Sequence, residues 1–362
     1  MSINVKLNPF CRIKVGAFKH NSLIVDLILE NKEIDVKDIR FLKIANYIRE
    51  PRSKEDLVNF LEEYLKIKRN EAEKLISIYI EKNILVEEDY KIPNSNAIEH
   101  WIKRGWLEAL IFHLQSKNLN YKDDNSLSRK KMLHNIFEKR IEKYGTPLLY
   151  EHKSGIEDIK LPNPSDLPTE SFEETLLFRR THRPYSDQPM TIQELSNILY
   201  YSSIETNKLR KKTEKLMNQD YSVFVNSSFS SLEIYFFAFD VENLKQGLYH
   251  YQPDSHKITF IKSGDFRKNV SELCIGQESA GRGKISFIIT TKWEKYMFRY
   301  AHARAYRNIL VNTGELAQKL LILLSAYKKR CFLTPAIKEE IGDNLLQINN
   351  YEEGLLYVIT AG

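Results

Sequence analysis

Cysteine is scarce in this sequence. Only three of the 362 residues are cysteines, at positions 11, 274 and 331, and they lie far apart. There is no CxxC motif and no Cys/His pair at zinc-ligand spacing, so a structural zinc site is not expected. An odd, sparse cysteine count also argues against a disulfide framework and is typical of proteins from a reducing compartment.

Segments that direct a chain into or across a membrane are also missing. The first residues do not combine a basic stretch with a following apolar stretch, as a secretion signal does. No apolar run reaches the roughly 18 residues that a membrane-spanning helix needs. We therefore expect a cytoplasmic protein that does not bind a membrane.

The common glycine-rich phosphate motifs are absent as well. The sequence has no GxGxxG and no GxxxxGK[ST], which excludes a standard Rossmann fingerprint and a P-loop. The net charge of +6 is mildly basic and too weak to indicate nucleic-acid binding. A hydrophobic content of 42% is ordinary for globular proteins, and 362 residues are enough for two or three domains.

The pattern over residues 1–95 predicts a small domain of short strands and three helices. Ser53, with Asp56 three positions later, can cap the second helix, and KNILVEE after the third helix predicts a strand. Helix, turn, helix and strand in this order is typical of a winged helix. The third helix, within residues 66–83, mixes lysines and an arginine with glutamates, which weakens a DNA-binding interpretation. Peptide binding along a strand edge and an inert cap are the alternatives.

The rest of the chain divides at a proline-containing stretch. Residues 96–170 predict a helical segment followed by a linker, and residues 171–362 predict a larger domain. Mixed strands and helices without regular alternation predict the α+β class for that domain. The domain is expected to contain an apolar helix that is buried at the domain's centre. The predicted elements are strands over 232–241, 285–290 and 355–360, a hairpin over 247–261, and the apolar helix over 307–327.

A cluster of arginines lies in the stretch FRRTHRPYSDQPMTIQELSNIL, residues 178–199. Three arginines and a threonine fall within five positions, and a helix is predicted to begin at Thr191, with Glu194 completing the cap. Guanidinium groups and a hydroxyl just before a helix are suited to bind phosphate. The alternative is a solvated charge cluster.

The same stretch resembles the opening motif of the FMN-dependent nitroreductase family. The segments SSLEIYFFAFDVENLKQGLYHYQPDSHKITFI, ARAYRNILVNTGELAQ and TPAIKEEIGDNLL resemble, in order, motifs of the SagB-type peptide dehydrogenases, or azoline oxidases, within that family. The resemblance covers about residues 172–362. It implies a mixed sheet flanked by helices, a homodimer with FMN at the interface, and a winged-helix domain that binds a leader peptide.

The resemblance also implies a set of site residues. The loop VNSSFSS stands where the family usually has glycines, and its Asn and Ser side chains can donate hydrogen bonds instead. Glu315 stands where the family usually has histidine. The positions implied to bind FMN are Arg179, Arg180, Thr181, Arg183, Asn226, Ser227, Ser228, Asn312, Thr334, Pro335 and Ala336.

Azoline-oxidising relatives use a Lys-Tyr pair, which Lys295 and Tyr296 match. The expected reaction is dehydrogenation of thiazoline or oxazoline to thiazole or oxazole in a ribosomal precursor peptide, alone or with other peptide-modifying enzymes. A desolvated Lys295 would serve as the base. A packing role for the pair is the alternative.

Two other functions stay open at this point. Reduction of dehydroalanine or dehydrobutyrine to D-amino acids in a lanthipeptide-type precursor would use the same flavin, with NAD(P)H as the hydride donor. A DNA-binding regulator with a degenerate flavin domain is the remote alternative. The expected partners are therefore a precursor peptide and a second copy of the chain, not nucleic acid.

Overall fold

A computed structural model describes most of the chain, in two compact units, residues 1–121 and 122–362. The sequence predicted boundaries at 95 and 170; the structure groups the helices between 95 and 116 with the first unit. The three-part division stays a prediction about separately folding parts. The described residues are 4–15, 22–30, 32–92, 94–116, 127–181, 184–225 and 230–362.

The first unit combines two small antiparallel sheets with helices. Strand β1 pairs with β5 and β6 in one sheet, and β3 lies between β2 and β4 in the other. Its elements are β1 Asn4–Leu7, β2 Cys11–Val15, β3 Leu23–Leu27, β4 Lys32–Val36, α1 Phe41–Tyr47, β5 Arg52–Ser53, α2 Lys54–Leu65, α3 Arg69–Glu81, β6 Leu85–Glu87, α4 Ser95–Lys103 and α5 Leu107–Ser116.

Local signals explain the helices of this unit. The Ser53 hydroxyl accepts a hydrogen bond from the Asp56 backbone N–H at 3.1 Å, so α2 begins where the capping pattern predicted. Leu57 and Leu61 of α2 then pack with Ile76 of α3 in the core of this unit. The order α2, α3, β6 agrees with the predicted helix-turn-helix-strand order, while the winged-helix assignment stays a prediction.

The second unit is built on one seven-stranded sheet in the order β12-β13-β11-β8-β9-β10-β7. Helices cover both faces of this sheet. The elements are α6 Leu127–Tyr144, β7 Glu157–Lys160, α7 Phe172–Phe178, α8 Ile192–Leu216, β8 Leu232–Ala238, β9 Gly247–Gln252, β10 Lys257–Ser263, α9 Arg267–Leu273, α10 Ser279–Arg282, β11 Ile285–Lys292, α11 Trp293–Arg299, α12 Ala305–Ala326, β12 Cys331–Thr334, α13 Glu339–Leu346 and β13 Glu353–Ala361.

The strands of this sheet run antiparallel, which corrects the predicted mixed sheet. Every ladder between its named strands in the described part of the chain is antiparallel, and parallel pairing is limited to an isolated bridge between Met190 and Val241. The reason lies in the connections. Strands β8, β9 and β10 follow one another through residues 239–246 and 253–256, and both connections are too short for the crossover of about a dozen residues that parallel neighbours need.

Both faces of strand β8 are buried, as its continuous apolar sequence predicted. Phe236 packs with Phe287 and with Leu320 of α12 on one face. Tyr235 and Phe237 pack against residues of α9 and α13 on the other. A charged side chain on such a strand must therefore find a partner inside the protein.

Helix α12 is only partly buried, so the expectation that the whole helix is central was wrong for its first half. Leu320 and Leu324 are buried in the core, but Leu310 is 49% exposed and Val311 is 69% exposed. By length and composition α12 is apolar enough to cross a membrane. Its second half packs against α8 and the sheet, as a core helix does.

Candidate functional site

The arginine cluster begins where helix α7 ends. Ser171 and Glu174 form a capping box at the start of α7, and Arg179 is its C-cap residue. The Arg179 Nη1 atom donates a hydrogen bond to Thr181 Oγ1 at 3.3 Å. Arg180 is exposed, and its Nη1 donates to the carbonyl oxygen of Arg179 at 3.1 Å. These three residues are consecutive in the chain, and their role as phosphate ligands stays a prediction.

Further cations surround the same helix end. Lys328 and Arg330 each lie over the ring of Phe178, at 5.5 and 5.6 Å from its centroid. Burial raises the pKa of Cys331 to about 12, and the nearby positive charge of Arg179 opposes that rise. Arg179 therefore lies close to the start of β12. Sequence reasoning missed Lys328 and Arg330, although the KKR run before a strand was a usable signal.

The predicted flavin-side loop follows β12. Thr334 is buried, and its Oγ1 accepts a hydrogen bond from the Ala336 backbone N–H at 3.0 Å. Pro335, between them, is exposed. The loop is held by its own turn, and its roles in binding stay predictions. Arg183, Asn226, Ser227 and Ser228 lie outside the described residues.

A cavity of about 560 Å³ lies among α8, α12 and the start of β8. Asn312 is on its wall, as are Arg210, Glu233 and Arg299. Asn312 Nδ2 donates a hydrogen bond to the hydroxyl of Tyr296 at 3.3 Å. One predicted flavin ligand therefore contacts one predicted catalytic residue at this cavity.

Lys295 lies directly behind the cavity wall. Its side chain is 2% exposed, with Nζ 3.2 Å from Glu233 Oε1 and 3.4 Å from Glu151 Oε1. Glu233 lines the cavity, whereas Lys295 is not among the described residues that line it. Both carboxylate oxygens of Glu233 are engaged inside the protein, Oε1 by Lys295 and Oε2 by His250, so the ion pair lies buried next to the cavity.

The surroundings of Glu233 favour its charged form. Burial alone would raise its pKa, but the charge of Lys295 and a hydrogen bond from His250 lower the pKa below its usual range. His250 Nε2 lies 3.2 Å from Glu233 Oε2. Burial and the neighbouring Tyr300 raise the pKa of Tyr296 instead, so its hydroxyl keeps its proton at neutral pH.

Alternating lysines and glutamates extend from Lys295 to Lys153, and we call this series the charge chain. Glu151 bridges Lys295 to Lys292, and Glu353 bridges Lys292 to Lys153, with N–O distances between 2.8 and 3.4 Å. Strand register contributes, because Lys292 and Glu353 are paired neighbours on β11 and β13.

Hydroxyl groups hold Glu353 as well. Tyr235 and Thr290 both donate hydrogen bonds to its Oε1 atom, at 2.9 and 2.7 Å. Burial would raise the pKa of Glu353, but Lys153, Lys292 and Thr290 together lower it. Sequence reasoning missed Glu233, His250 and Glu353, although charged or ionisable residues in strands this apolar require buried partners.

Comparison with known proteins places the chain in a family. The trifolitoxin operon protein TfxC of Rhizobium leguminosarum bv. trifolii is 30% identical over 343 residues, which are 91% of each chain. This protein belongs to the family of TfxC. MJ1384, a nitroreductase-type protein of Methanocaldococcus jannaschii, is 27% identical over 169 residues, 47% of this chain and 79% of its own. No protein-family model matches the sequence.

Two solved structures resemble the chain more weakly. A nitroreductase-type protein of Ralstonia eutropha has a TM-score of 0.45 at 16% identity, over 60% of this chain and 95% of its own. The microcin synthetase McbBCD complex of E. coli, with truncated pro-MccB17 bound, has a chain with a TM-score of 0.40 at 15% identity, over 67% and 98%. The sequence relatives thus support the resemblance to nitroreductases, and the SagB-type subdivision stays a prediction.

Proposed function

We propose that this protein is an FMN-dependent oxidoreductase that modifies a ribosomally made peptide by dehydrogenating thiazoline or oxazoline rings. The observation that carries the proposal is the ion pair of Glu233 with Lys295 at the wall of a cavity that also holds Asn312, the partner of Tyr296. The relatives TfxC and MJ1384 support it, one by its toxin operon and one by its nitroreductase type.

The basic cluster fits the phosphate of FMN. Arg179 and Thr181 offer donors within one short segment, and Arg330 adds charge beside the same helix end. This donor set, guanidinium plus hydroxyl, is the one that a phosphate prefers. Thr334, Pro335, Ala336 and Asn312 are proposed to contact the rest of the cofactor. Bound there, FMN would supply the two-electron oxidation.

The ion pair would manage the proton of the reaction. Dehydrogenation removes a proton from the Cα atom of the ring, and a base must receive it. The proposed base is Lys295, as the family resemblance implies, and its partner is the ionised carboxylate of Glu233, a residue of the cavity wall. Lys295, 3.2 Å away, holds this carboxylate in place and completes the predicted proton-handling unit with Tyr296.

One observation favours the opposite reaction direction. The Tyr296 hydroxyl carries a proton at neutral pH, as tyrosines ordinarily do, and its hydrogen bond with Asn312 places it beside the cavity, where it could donate that proton. Reduction of dehydroalanine or dehydrobutyrine needs such a donor at Cα, with NAD(P)H as the hydride source. This reductase is the second candidate function.

The first unit is proposed to bind the leader segment of the peptide as a winged helix. A DNA-binding role is disfavoured by charge pairing on its third helix. Arg69 of α3 lies 2.6 Å from Glu55 and 3.3 Å from Glu73, so its charge is already engaged. Basic residues that bind DNA need to face phosphates instead.

The second unit is proposed to form a homodimer in the cytoplasm. Leu310 and Val311 are exposed apolar residues on adjacent positions of α12, and Met297 of α11 is 60% exposed. Exposed apolar groups of this kind are typical of interaction surfaces. A second copy of the chain is the partner that the family resemblance implies.

Anaerobic mixing tests the proposed reaction directly. Purified enzyme with oxidised flavin is mixed with an azoline-containing peptide, and loss of the oxidised-flavin absorbance is followed in a single turnover. The pre-reduced enzyme is mixed separately with a dehydroalanine peptide, and a mass gain of two hydrogens is measured. Azoline oxidation is expected. A positive result only in the second assay would establish the reductase, and a colourless protein that binds no flavin would reject both.

A further inference from the structure

Two guanidinium groups, those of Arg210 and Arg299, line the cavity among α8, α12 and β8, and the charge of Arg210 acts on the neighbouring Glu233. Arg210 is 2% exposed, and its Nη2 donates to the carbonyl oxygen of Ser230 at 2.9 Å. Its Nε atom, and the buried Nε atom of Arg299, have no hydrogen-bond partner in the described part of the chain. A buried donor without an acceptor is unfavourable, and an ordered water or a ligand group would satisfy it.

The neighbouring carboxylates are already committed to lysines. Lys153, Lys292 and Lys295 alternate with Glu353, Glu151 and Glu233 in the charge chain behind the cavity, so three cations meet three anions. At the rim, Lys319 pairs with Glu205 and Glu315. Among the residues that line the cavity, Lys208, Arg210, Arg299 and Lys319 outnumber Glu205, Glu233 and Glu315 by one positive charge.

We propose that Arg210 and Arg299 bind a carboxylate group of the peptide substrate in this cavity. The proposal rests on the proposed function, since a peptide substrate is assumed. A guanidinium group binds a carboxylate through two parallel N–H donors, and Nε–H is commonly one of them. A carboxylate would thus accept hydrogen bonds from the Nε–H groups of both arginines and balance the excess positive charge.

The walls favour a peptide carboxylate over a phosphate. Residues 202–210 of α8 and 312–319 of α12 lie inside their helices, where backbone N–H groups are already bonded. Phosphate sites typically use the free N–H groups of a helix start, which this cavity does not offer from either helix. Ser203 and Thr206 are also wall residues, and their hydroxyl groups are suited to a peptide backbone.

Paired peptides test this site in the full-length protein. The probes are N-acetyl-Gly-Ser-Gly with a free carboxylate and the same peptide as a carboxamide, titrated by isothermal calorimetry. The carboxylate form is expected to bind about tenfold or more tightly, because charge-assisted hydrogen bonds are lost in the amide. Arg299→Gln is expected to reduce its affinity to that of the carboxamide. Arg282→Gln, an exposed arginine paired with Glu278, is the matched control and should change nothing.

Several results would overturn the proposal. These are equal binding of the two peptides, no binding of either, unchanged carboxylate binding in Arg299→Gln, and displacement of the peptide by inorganic phosphate at a lower concentration than by acetate. Arg210→Gln is the second variant; should it not fold, Arg299→Gln, whose side chain is partly exposed, decides alone.

Flavin content separates this site from the proposed function. The flavin absorbance is expected to stay unchanged in Arg299→Gln, and its loss together with carboxylate binding would mean that the cavity holds the flavin instead. A flavin-free wild-type protein that still prefers the carboxylate peptide would reject the proposed oxidoreductase and leave the carboxylate site standing.

Discussion

Arg179 is the member of the basic cluster that lies between the end of α7 and the start of β12. It hydrogen-bonds to Thr181. Arg179→Ala should weaken FMN binding by about 1.5–3 kcal/mol, since one charged hydrogen bond to phosphate is lost. Fluorescence titration of the apoprotein with FMN measures this change. Arg282→Ala should bind FMN as the wild type does, and an unaltered affinity in Arg179→Ala would show that the cluster does not hold the phosphate.

The Lys295–Glu233 pair allows a prediction about chemistry. Lys295→Ala and Glu233→Gln should each lower azoline oxidation by about 10²–10⁴-fold, the range for general base catalysis. Tyr296→Phe should lose less, since only its hydroxyl is removed. Single-turnover flavin reduction is the measurement, with flavin content as the check on folding. Lys268→Ala, at an exposed position, is the control. Near-normal turnover by folded Lys295→Ala would assign the pair to packing.

The ionised carboxylate of Glu353 should stabilise the folded protein. Its folded-state pKa is lowered from 4.5 by its lysine and hydroxyl partners, so its contribution is present above pH 4.5 and is lost as pH falls through the lower folded value. Glu353→Gln should destabilise the protein by about 3–5 kcal/mol at pH 7, as expected when one partner of a buried ion pair is removed. That difference should shrink towards pH 3.

Urea unfolding at several pH values measures this effect. Glu352→Gln, the exposed neighbour, should leave the free energy of unfolding within about 0.5 kcal/mol of wild type at each pH. A destabilisation by Glu353→Gln that stays constant from pH 7 to pH 3 would contradict the assigned role of its charge.

At the scale of elements, the sequence predicts the features that depend on residues close together in the chain, such as helix starts and buried strands. The capping pairs Ser53–Asp56 and Thr191–Glu194 begin helices where predicted, because a cap involves residues three positions apart. Continuous apolar runs likewise predicted the buried strands. The charge chain could not be predicted, since Lys292 meets Glu353 only through the register of β11 with β13. Sheet order and strand direction are also set by long-range pairing.

Helix α12 shows the same contrast between features set by nearby residues and features set by distant parts of the chain. Its apolar composition predicted burial, yet Leu310 and Val311 face outwards, because in the first half of the helix only the face with Ala305 and Ile309 is covered, by Tyr296 of α11. Leu310→Glu with Val311→Glu should weaken self-association at least about tenfold, since charges would be buried against a second copy. Light scattering with size-exclusion chromatography measures the mass. Gln318→Glu, exposed on the same helix, is the control, and a wild type that is monomeric throughout would reject the homodimer.

At the scale of the molecule, the division at residues 121 and 122 separates proposed peptide capture from proposed chemistry. The predicted site residues all lie in the second unit. The two functions should therefore respond independently when the chain is cut between the units. A tethered binding unit raises the effective concentration of the peptide at the site, whereas a separate one does not.

Removal of residues 1–121 should therefore raise the KM for a leader-containing peptide at least about tenfold while the flavin stays bound. Turnover of a leaderless peptide at saturating concentration should be the same in both proteins, which is the internal control. Adding residues 1–121 as a separate protein should restore little, because the tether is gone. Equal KM values for full-length and shortened enzyme would show that the first unit does not bind the leader. A DNA mobility shift by the full-length protein at about 150 mM salt would then favour the regulator instead.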